Sequence, residues 1–256
     1  MNIEFYKYHG AGNDFILIDN RNNTLKLSNE QIHFLCDRRF GIGADGLMLL
    51  NASKEFDFDM KYYNSDGYEG SMCGNGGRCI VAFAKYLGIE KKHYIFNAID
   101  GLHEAFFEDD LVKLKMNKVN SVAQIDNEWF LNTGSPHVVQ FVENIEKTEV
   151  STLGKILRFD ARFGEAGTNV NFIEANLENI KIRTFERGVE AETYACGTGS
   201  VASAIAAHQK TPEINAYIIQ ALGGTLYVNF EFKDGIYQNI WLKGPAKQVY
   251  KGVINF

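Results

Sequence analysis

The sequence predicts an α/β protein of the α+β kind: two similar domains, each strand-rich around one long helix, related by internal duplication. Three observations carry that prediction. Most of the chain breaks into short strand-like runs between turn signals, and convincing helices are few. Two of those helices open alike, with Cys73-Gly74-Asn75-Gly76 and Cys196-Gly197-Thr198-Gly199. The two cysteines stand 196 − 73 = 123 residues apart in a chain of 256, close to half its length, the mark of a duplicated unit.

The strand-like runs include Phe15-Ile16-Leu17-Ile18, Phe58 to Tyr63, Val112 to Met116 and Thr225 to Phe230. A first helix is expected over about 28–38, with Ser28 as cap and Gln31 at the capping-box position. A second is expected over about 76–87, with Ile80, Val81, Phe83, Ala84 and Leu87 on an apolar face and Gly88 as its stop. A third, rich in Ala, is expected over about 198–209, with Val201, Ala204 and Ile205 as apolar members. Before each Cys-Gly loop lies a polar cluster, Asn64-Ser65-Asp66-Gly67 in one case and Glu186-Arg187-Gly188 in the other. The expected domains are 1–115 with about 246–256, carrying Cys73, and 116–245, carrying Cys196. The run Gln248 to Ile254 would return to the first domain, and the two Cys-Gly loops would face one cleft.

Composition narrows the function. Hydrophobic residues make up 45% and charged residues 23% of the chain, which suits a soluble globular protein with a sizeable core. The formal charge of −6 and the lack of a Lys/Arg run exclude nucleic acid as the main partner. The N-terminus lacks a basic head before an apolar stretch, and no apolar run reaches the roughly 18 residues of a membrane span. Four cysteines are too few for a disulfide scaffold and point to a reducing cytoplasm. The oligomeric state is not written in the sequence; a homodimer stays open.

A cysteine just before a helix N-terminus feels the positive end of the helix dipole, which favours thiolate. The free N–H groups of Gly74, Asn75 and Gly76 make an anion site suited to a carboxylate, and the glycines let backbone approach a ligand. One such loop fits a nucleophile elbow or a phosphate cradle equally well. Two fit another kind of chemistry, because inverting a stereocentre needs a base on one face of the carbon and an acid on the other. Taken singly, a buried cysteine is usually an inert small hydrophobe. Cys36 and Cys79, on helical faces beside apolar neighbours, are assigned to packing. A zinc site on Cys73 and Cys79 has no CxxC or CxxH partner.

Five motifs in order carry a family resemblance: His9-Gly10-Ala11-Gly12-Asn13-Asp14-Phe15, Asn64-Ser65-Asp66-Gly67, Cys73-Gly74-Asn75-Gly76-Gly77-Arg78-Cys79, Glu186-Arg187-Gly188 and Ala195-Cys196-Gly197-Thr198-Gly199. Together, and over nearly the whole chain to Gly244-Pro245-Ala246, the sequence resembles the diaminopimelate epimerases. The resemblance implies two α/β domains, each a barrel-like sheet wrapped on a central helix. It implies interconversion of LL- and meso-diaminopimelate for lysine and peptidoglycan synthesis, with a small amino acid as the only ligand and no cofactor, neither pyridoxal phosphate nor metal. Cys73 and Cys196 match the family's acid/base pair. Asn13, Asn64, Asn169, Glu186 and Arg187 match positions that hold substrate, and Gly74, Asn75, Gly197 and Thr198 match the loops that grip the reacting carboxylate. His137 and Glu186 match residues that tune the cysteines.

The residue types agree, since Arg187 can pair with a distal carboxylate in a bidentate fork and Asn64 and Asn169 supply neutral donors and acceptors. The bland readings are a surface charge for Arg187, a turn residue for Asn13 and a structural histidine for His137. Two departures stand out: Ser135 replaces a substrate-contacting Asn of the family, and Gly46 stands where some members carry Gln. The rivals are an epimerase or racemase for proline, hydroxyproline or histidine on the same scaffold, and a thiol redox protein. The first has no use for the Arg187, Asn64 and Asn169 set; the second does not explain the glycine-rich helix starts.

Overall fold

The computed structural model describes residues 2–255. The chain forms two compact units, Met1–Leu114 with Pro245–Phe256, and Lys115–Gly244. In the first unit the elements are β1 (Asn2–Gly10), β2 (Asn13–Asn20), α1 (Asn29–Cys36), β3 (Gly46–Asn51), β4 (Phe58–Asn64), α2 (Gly74–Tyr86), β5 (His93–Ala98), β6 (Gly101–Glu108) and β7 (Leu111–Lys115). The second unit contributes β8 (Val122–Ile125), β9 (Glu128–Asn132), β10 (Pro136–Phe141), α3 (Val150–Arg158), β11 (Asn169–Asn176), β12 (Asn179–Glu186), β13 (Ala191–Thr193), α4 (Gly197–His208), β14 (Ala216–Ala221), β15 (Gly224–Lys233) and β16 (Ile236–Gly244). The last strand, β17 (Lys247–Asn255), pairs antiparallel with β1.

The duplication is visible in the pairing. In the first unit the strands run β17-β1-β2-β3-β4-β5-β6-β7, and the successive pairs are antiparallel, antiparallel, parallel, antiparallel, parallel, antiparallel and antiparallel. The second unit runs β8-β9-β10-β11-β12-β14-β15-β16 through the same series. Even the small β13 ribbon on β12 has a counterpart, a bridge between Tyr63 and Glu69. One strand of the first copy therefore comes from the end of the chain.

Each unit buries both faces of its central strands. Ile16, Ile18, Leu47 and Leu49 pack against Ile32 and Leu35 of α1. On β10–β12, Val138, Val170, Phe172 and Phe185 pack against Val150 and Leu157 of α3. The opposite face of each sheet receives the second helix of its unit. Burial on both faces explains why Phe15 to Ile18 reads as an unbroken apolar run instead of an alternation.

Helices α1, α2 and α4 lie within two residues of the expected bounds. Ser28 and Gln31 form the capping box on α1, and Gly88 ends α2 with φ +87° in the left-handed region that only glycine enters freely. Helix α3 is not expected from the sequence. Its N-cap, Glu149, makes no capping bond, and Gly154 interrupts its middle. That glycine is demanded by packing, since a Cβ there would lie 2.5 Å from Cβ of Phe185.

Candidate active site

In both units a cysteine is the N-cap of the buried helix. Cys73 has extended dihedrals (φ −99°, ψ 149°), and its Sγ accepts a hydrogen bond from the Gly76 N–H at 3.2 Å. Sulfur here takes the place of the oxygen that Ser or Asp would offer. Cys196 has φ −113° and ψ 118°, and its Sγ lies 3.4 Å from Oγ1 of Thr198. Both Gly76 and Gly199 sit against a strand side chain: an added Cβ would meet Cε of Met48 at 2.9 Å in one unit and Oδ1 of Asn171 at 2.4 Å in the other. Cys36 and Cys79 are buried as packing groups. Burial pushes the Cys36 thiol up to about 12 and that of Cys79 higher still, so both stay protonated.

In the first unit Asn13 and Asn75 lie in a directed chain. Arg78, fully buried on α2, donates to Oδ1 of Asn75 at 2.8 Å, to the Gly74 carbonyl at 3.0 Å and to the Pro245 carbonyl at 3.4 Å. Nδ2 of Asn75 donates to Oδ1 of Asn13 at 3.3 Å, and Nδ2 of Asn13 donates to Asp45 at 2.5 Å. A cation at one end and a carboxylate at the other leave both amides a single orientation. Burial lowers Arg78 to about 10, which leaves it charged at neutral pH. Asp14 and Asp45 share Arg38, and Lys7 also pairs with Asp14. Asn64 ends β4 as an exposed residue, its backbone carbonyl closing the turn to Gly67.

In the second unit His137 is fully buried. Its Nε2 lies 2.9 Å from Oγ1 of Thr198 and 3.0 Å from Oγ of Ser135, and its Nδ1 lies 3.1 Å from Nδ2 of Asn171. Burial, aided by the charge of Arg187, lowers His137 to about 3, so the ring is neutral. Asn169 is also buried: its Nδ2 donates to the Pro136 carbonyl and to Ser135, and its Oδ1 accepts from the Arg187 N–H at 2.9 Å. It thus ties the Arg187 turn to the β9–β10 turn. Glu186 accepts from Thr193 at 2.9 Å. The Arg187 guanidinium has no ion-pair partner among the described residues, unlike Arg158 and Arg183, which are held by Glu190 and Glu192.

The expected residues of each unit fall as follows. In the first, Asn13 is bonded to Asn75 on the turn that opens with Cys73 and Gly74, while Asn64 stands at the end of β4 opposite Gly46; in the second, His137 meets Thr198 beside Cys196 and Gly197, and Asn169 holds the Arg187 N–H next to Glu186. Sequence reasoning missed Asp45, Arg78, Asn171 and Thr184. The signals were there: Asn171 follows Asn169 by two and shares its strand face, and Arg78 follows Cys73 by a turn of helix. Among the described residues no cluster of three or more His, Cys, Asp or Glu side chains could hold a metal ion, and no helix is long and apolar enough to cross a membrane.

The architecture is shared with proteins of distant sequence. A phenazine biosynthesis protein of the PhzF family from Bacillus anthracis superposes with a TM-score of 0.78 at 15% identity, covering 100% of both chains. A hydroxyproline epimerase from Agrobacterium vitis superposes with a TM-score of 0.68 at 13% identity, over 99% of this chain and 92% of that one. The sequence narrows this fold class further. The family model described as diaminopimelate epimerase matches residues 5–122 and again 129–249. Diaminopimelate epimerase of Flavobacterium psychrophilum is 51% identical over 98% of this chain and 100% of its own length. That of Chlorobaculum tepidum is 45% identical over 96% and 98%. The chain belongs to the diaminopimelate epimerase family.

Proposed function

We propose that this enzyme interconverts LL- and meso-diaminopimelate by two-base proton transfer between Cys73 and Cys196, acting in the cytoplasm on a precursor of lysine and peptidoglycan. In this reading one thiolate takes the α-proton and becomes a thiol. The electron pair left on carbon spreads into the carboxylate, and the second thiol delivers a proton to the opposite face and becomes a thiolate. The helix N-termini at Gly74–Gly76 and Gly197–Gly199 supply N–H groups for the charge that builds on the carboxylate. The observation that carries the reading is the repeated placement itself, a cysteine at the N-cap position of a buried helix in both copies of one fold.

Arg187 supports a substrate with a second, distal carboxylate, because no Asp or Glu among the described residues forms an ion pair with it, and Glu190, which feels its charge, is paired with Arg158. Asn13, Asn64, Asn75, Asn169, Glu186, Thr198 and His137 orient that substrate or the cysteines. No cofactor enters the steps, and neither nucleic acid nor membrane is a partner. The deciding experiment is α-hydrogen exchange from deuterated water. Diaminopimelate should incorporate one deuterium per inversion, while proline and hydroxyproline should not. Exchange into proline instead would make the chain a racemase of that class, and exchange into none would remove the two-base reading.

A further inference from the structure

Beneath Cys196, on the face of β10–β12 turned toward α4, lie three polar side chains with almost no exposure: His137, Asn171 and Thr184. A buried polar group costs stability unless it is paired, so their hydrogen bonds are constrained. The Val138 carbonyl can only accept, and it lies 3.0 Å from the side-chain amide of Asn171. The atom facing it must therefore be Nδ2. The other amide atom, Oδ1, accepts from the Thr184 hydroxyl at 3.0 Å. The flipped amide would set two oxygens against each other at Val138.

With the amide fixed, the rest follows in order. Nδ2 of Asn171 also faces Nδ1 of His137 at 3.1 Å, so that ring nitrogen presents a lone pair. The ring is neutral, and its one proton then sits on Nε2 and is donated to Oγ1 of Thr198 at 2.9 Å, with Ser135 as a second acceptor at 3.0 Å. Thr198, having accepted, has its own proton left to donate, and Sγ of Cys196 lies 3.4 Å away. We propose that Asn171 is a positioning residue that fixes the tautomer of His137 and thereby turns the Thr198 hydroxyl proton onto the sulfur of Cys196. A donor held on sulfur steadies its anionic form, the form that takes a proton. The proposal rests on the reading of Cys196 as an acid/base group.

Among the described residues the first unit has no counterpart of these three polar groups. The residue under Gly76, where Asn171 lies under Gly199, is Met48, and the ring in register with His137 is Phe15, packed against Tyr62 at 6.1 Å. The device therefore acts on one cysteine only.

Three measurements test it, none of which needs substrate. In wild-type protein with ¹⁵N-labelled histidine, His137 (assigned through a His137→Gln spectrum) should be a neutral ring protonated at Nε2. A ring protonated at Nδ1 would overturn the proposal outright, whether or not any variant folds. In Asn171→Leu, which removes the donor at similar size, the second tautomer should appear. A ring that stays wholly Nε2-protonated means that Asn171 does not set it. In Thr198→Val the alkylation of Cys196 by iodoacetamide at one neutral pH should slow about ten- to a hundredfold, the loss expected for one hydrogen bond to a charged acceptor. Cys73 should react within about twofold of wild type, and Thr198→Ser should restore Cys196. An unchanged Cys196 rate in Thr198→Val sinks the last link. Absent α-hydrogen exchange in wild type would instead remove the proposed function while leaving these three readouts intact.

Discussion

The two halves of the molecule share a backbone and differ in what lies under it. Both place a cysteine at the N-cap of a buried helix, and both carry glycine three residues later, where a strand side chain lies against it. Under Cys73 that floor is Met48, Phe15 and Tyr62; under Cys196 it is Asn171, His137 and Thr184. The first half places its polar groups elsewhere, in the chain from the buried Arg78 through Asn75 and Asn13 to Asp45. In the second half the residue five beyond the cysteine is Val201, not Arg. Duplication kept the device that aims the sulfur and let the groups that set its chemistry diverge. The two cysteines are equivalent in position on their helices and distinct in environment.

The harshest way to break that comparison is to remove one cysteine at a time. Cys73→Ala and Cys196→Ala should each lower epimerisation by at least the factor of about 10² to 10⁴ that a positioned acid or base supplies. A variant that keeps a near wild-type rate would show that its half is scaffold, not acid or base. Arg187→Ala comes next. An unpaired distal carboxylate should cost about 2 to 5 kcal/mol in kcat/KM for diaminopimelate, with little change in any trace activity on short amino acids. Equal losses on both substrates would make Arg187 structural.

Acid separates the halves by stability. His137 is held neutral in the folded protein down to about pH 3, against 6.5 when unfolded. Between those values the unfolded chain binds the extra proton, so stability rises with pH. The contribution is whole above pH 6.5 and is lost as pH falls, by about 2 kcal/mol at pH 5. Burial lowers His208, also in the second unit, and adds with the same sign. In the first unit Asp14 behaves otherwise. Burial opposes its ionisation, yet hydrogen bonds and charges from Arg38 and Lys7 hold it well below the usual carboxylate range, so its contribution survives to below pH 3.8. Amide exchange corrected for the chemical rate should therefore show β10–β12 losing protection between pH 7 and 5 while β1–β3 does not. Equal loss in both would mean that the polar floor under Cys196 carries no such cost.

The sequence shows the half of this comparison that repeats and hides the half that differs. Cys-Gly-x-Gly at a helix start is legible because capping, glycine and apolar spacing are local signals. The bounds of α2 and α4 follow from them. Helix α3, the counterpart of α1, is not legible, because Glu149 makes no cap and Gly154 answers to Phe185 across the sheet. Asn171 and Thr184 read as ordinary polar strand residues. Their role exists only where β10, β11 and β12 meet, and a single strand does not say which face is buried or what waits on the next strand. Ser135 reads as a loss relative to the family, and its hydroxyl is in fact shared between His137 and Asn169.

The smallest effect is the most direct probe of the two floors: alanine at each of the paired glycines. At Gly76 the new Cβ meets Cε of Met48 at 2.9 Å. That methyl ends a flexible side chain and can move aside, and alanine gains up to about 1 kcal/mol over glycine in a helix. Gly76→Ala should be nearly neutral in stability. At Gly199 the Cβ meets Oδ1 of Asn171 at 2.4 Å. That oxygen is held by Thr184 and its amide by Val138, so it cannot yield without breaking a buried hydrogen bond. Overpacking of this kind costs about 1 to 3 kcal/mol, which the helix gain offsets only in part, leaving a net loss of about 1 kcal/mol. Urea denaturation of the two variants against wild type gives the difference. Gly199→Ala with Thr184→Val should recover part of the loss, because the amide is then free to shift. Two alanines with equal cost would mean that the floors under Cys73 and Cys196 are equally rigid, and that the locked amide under the second cysteine is not what separates them.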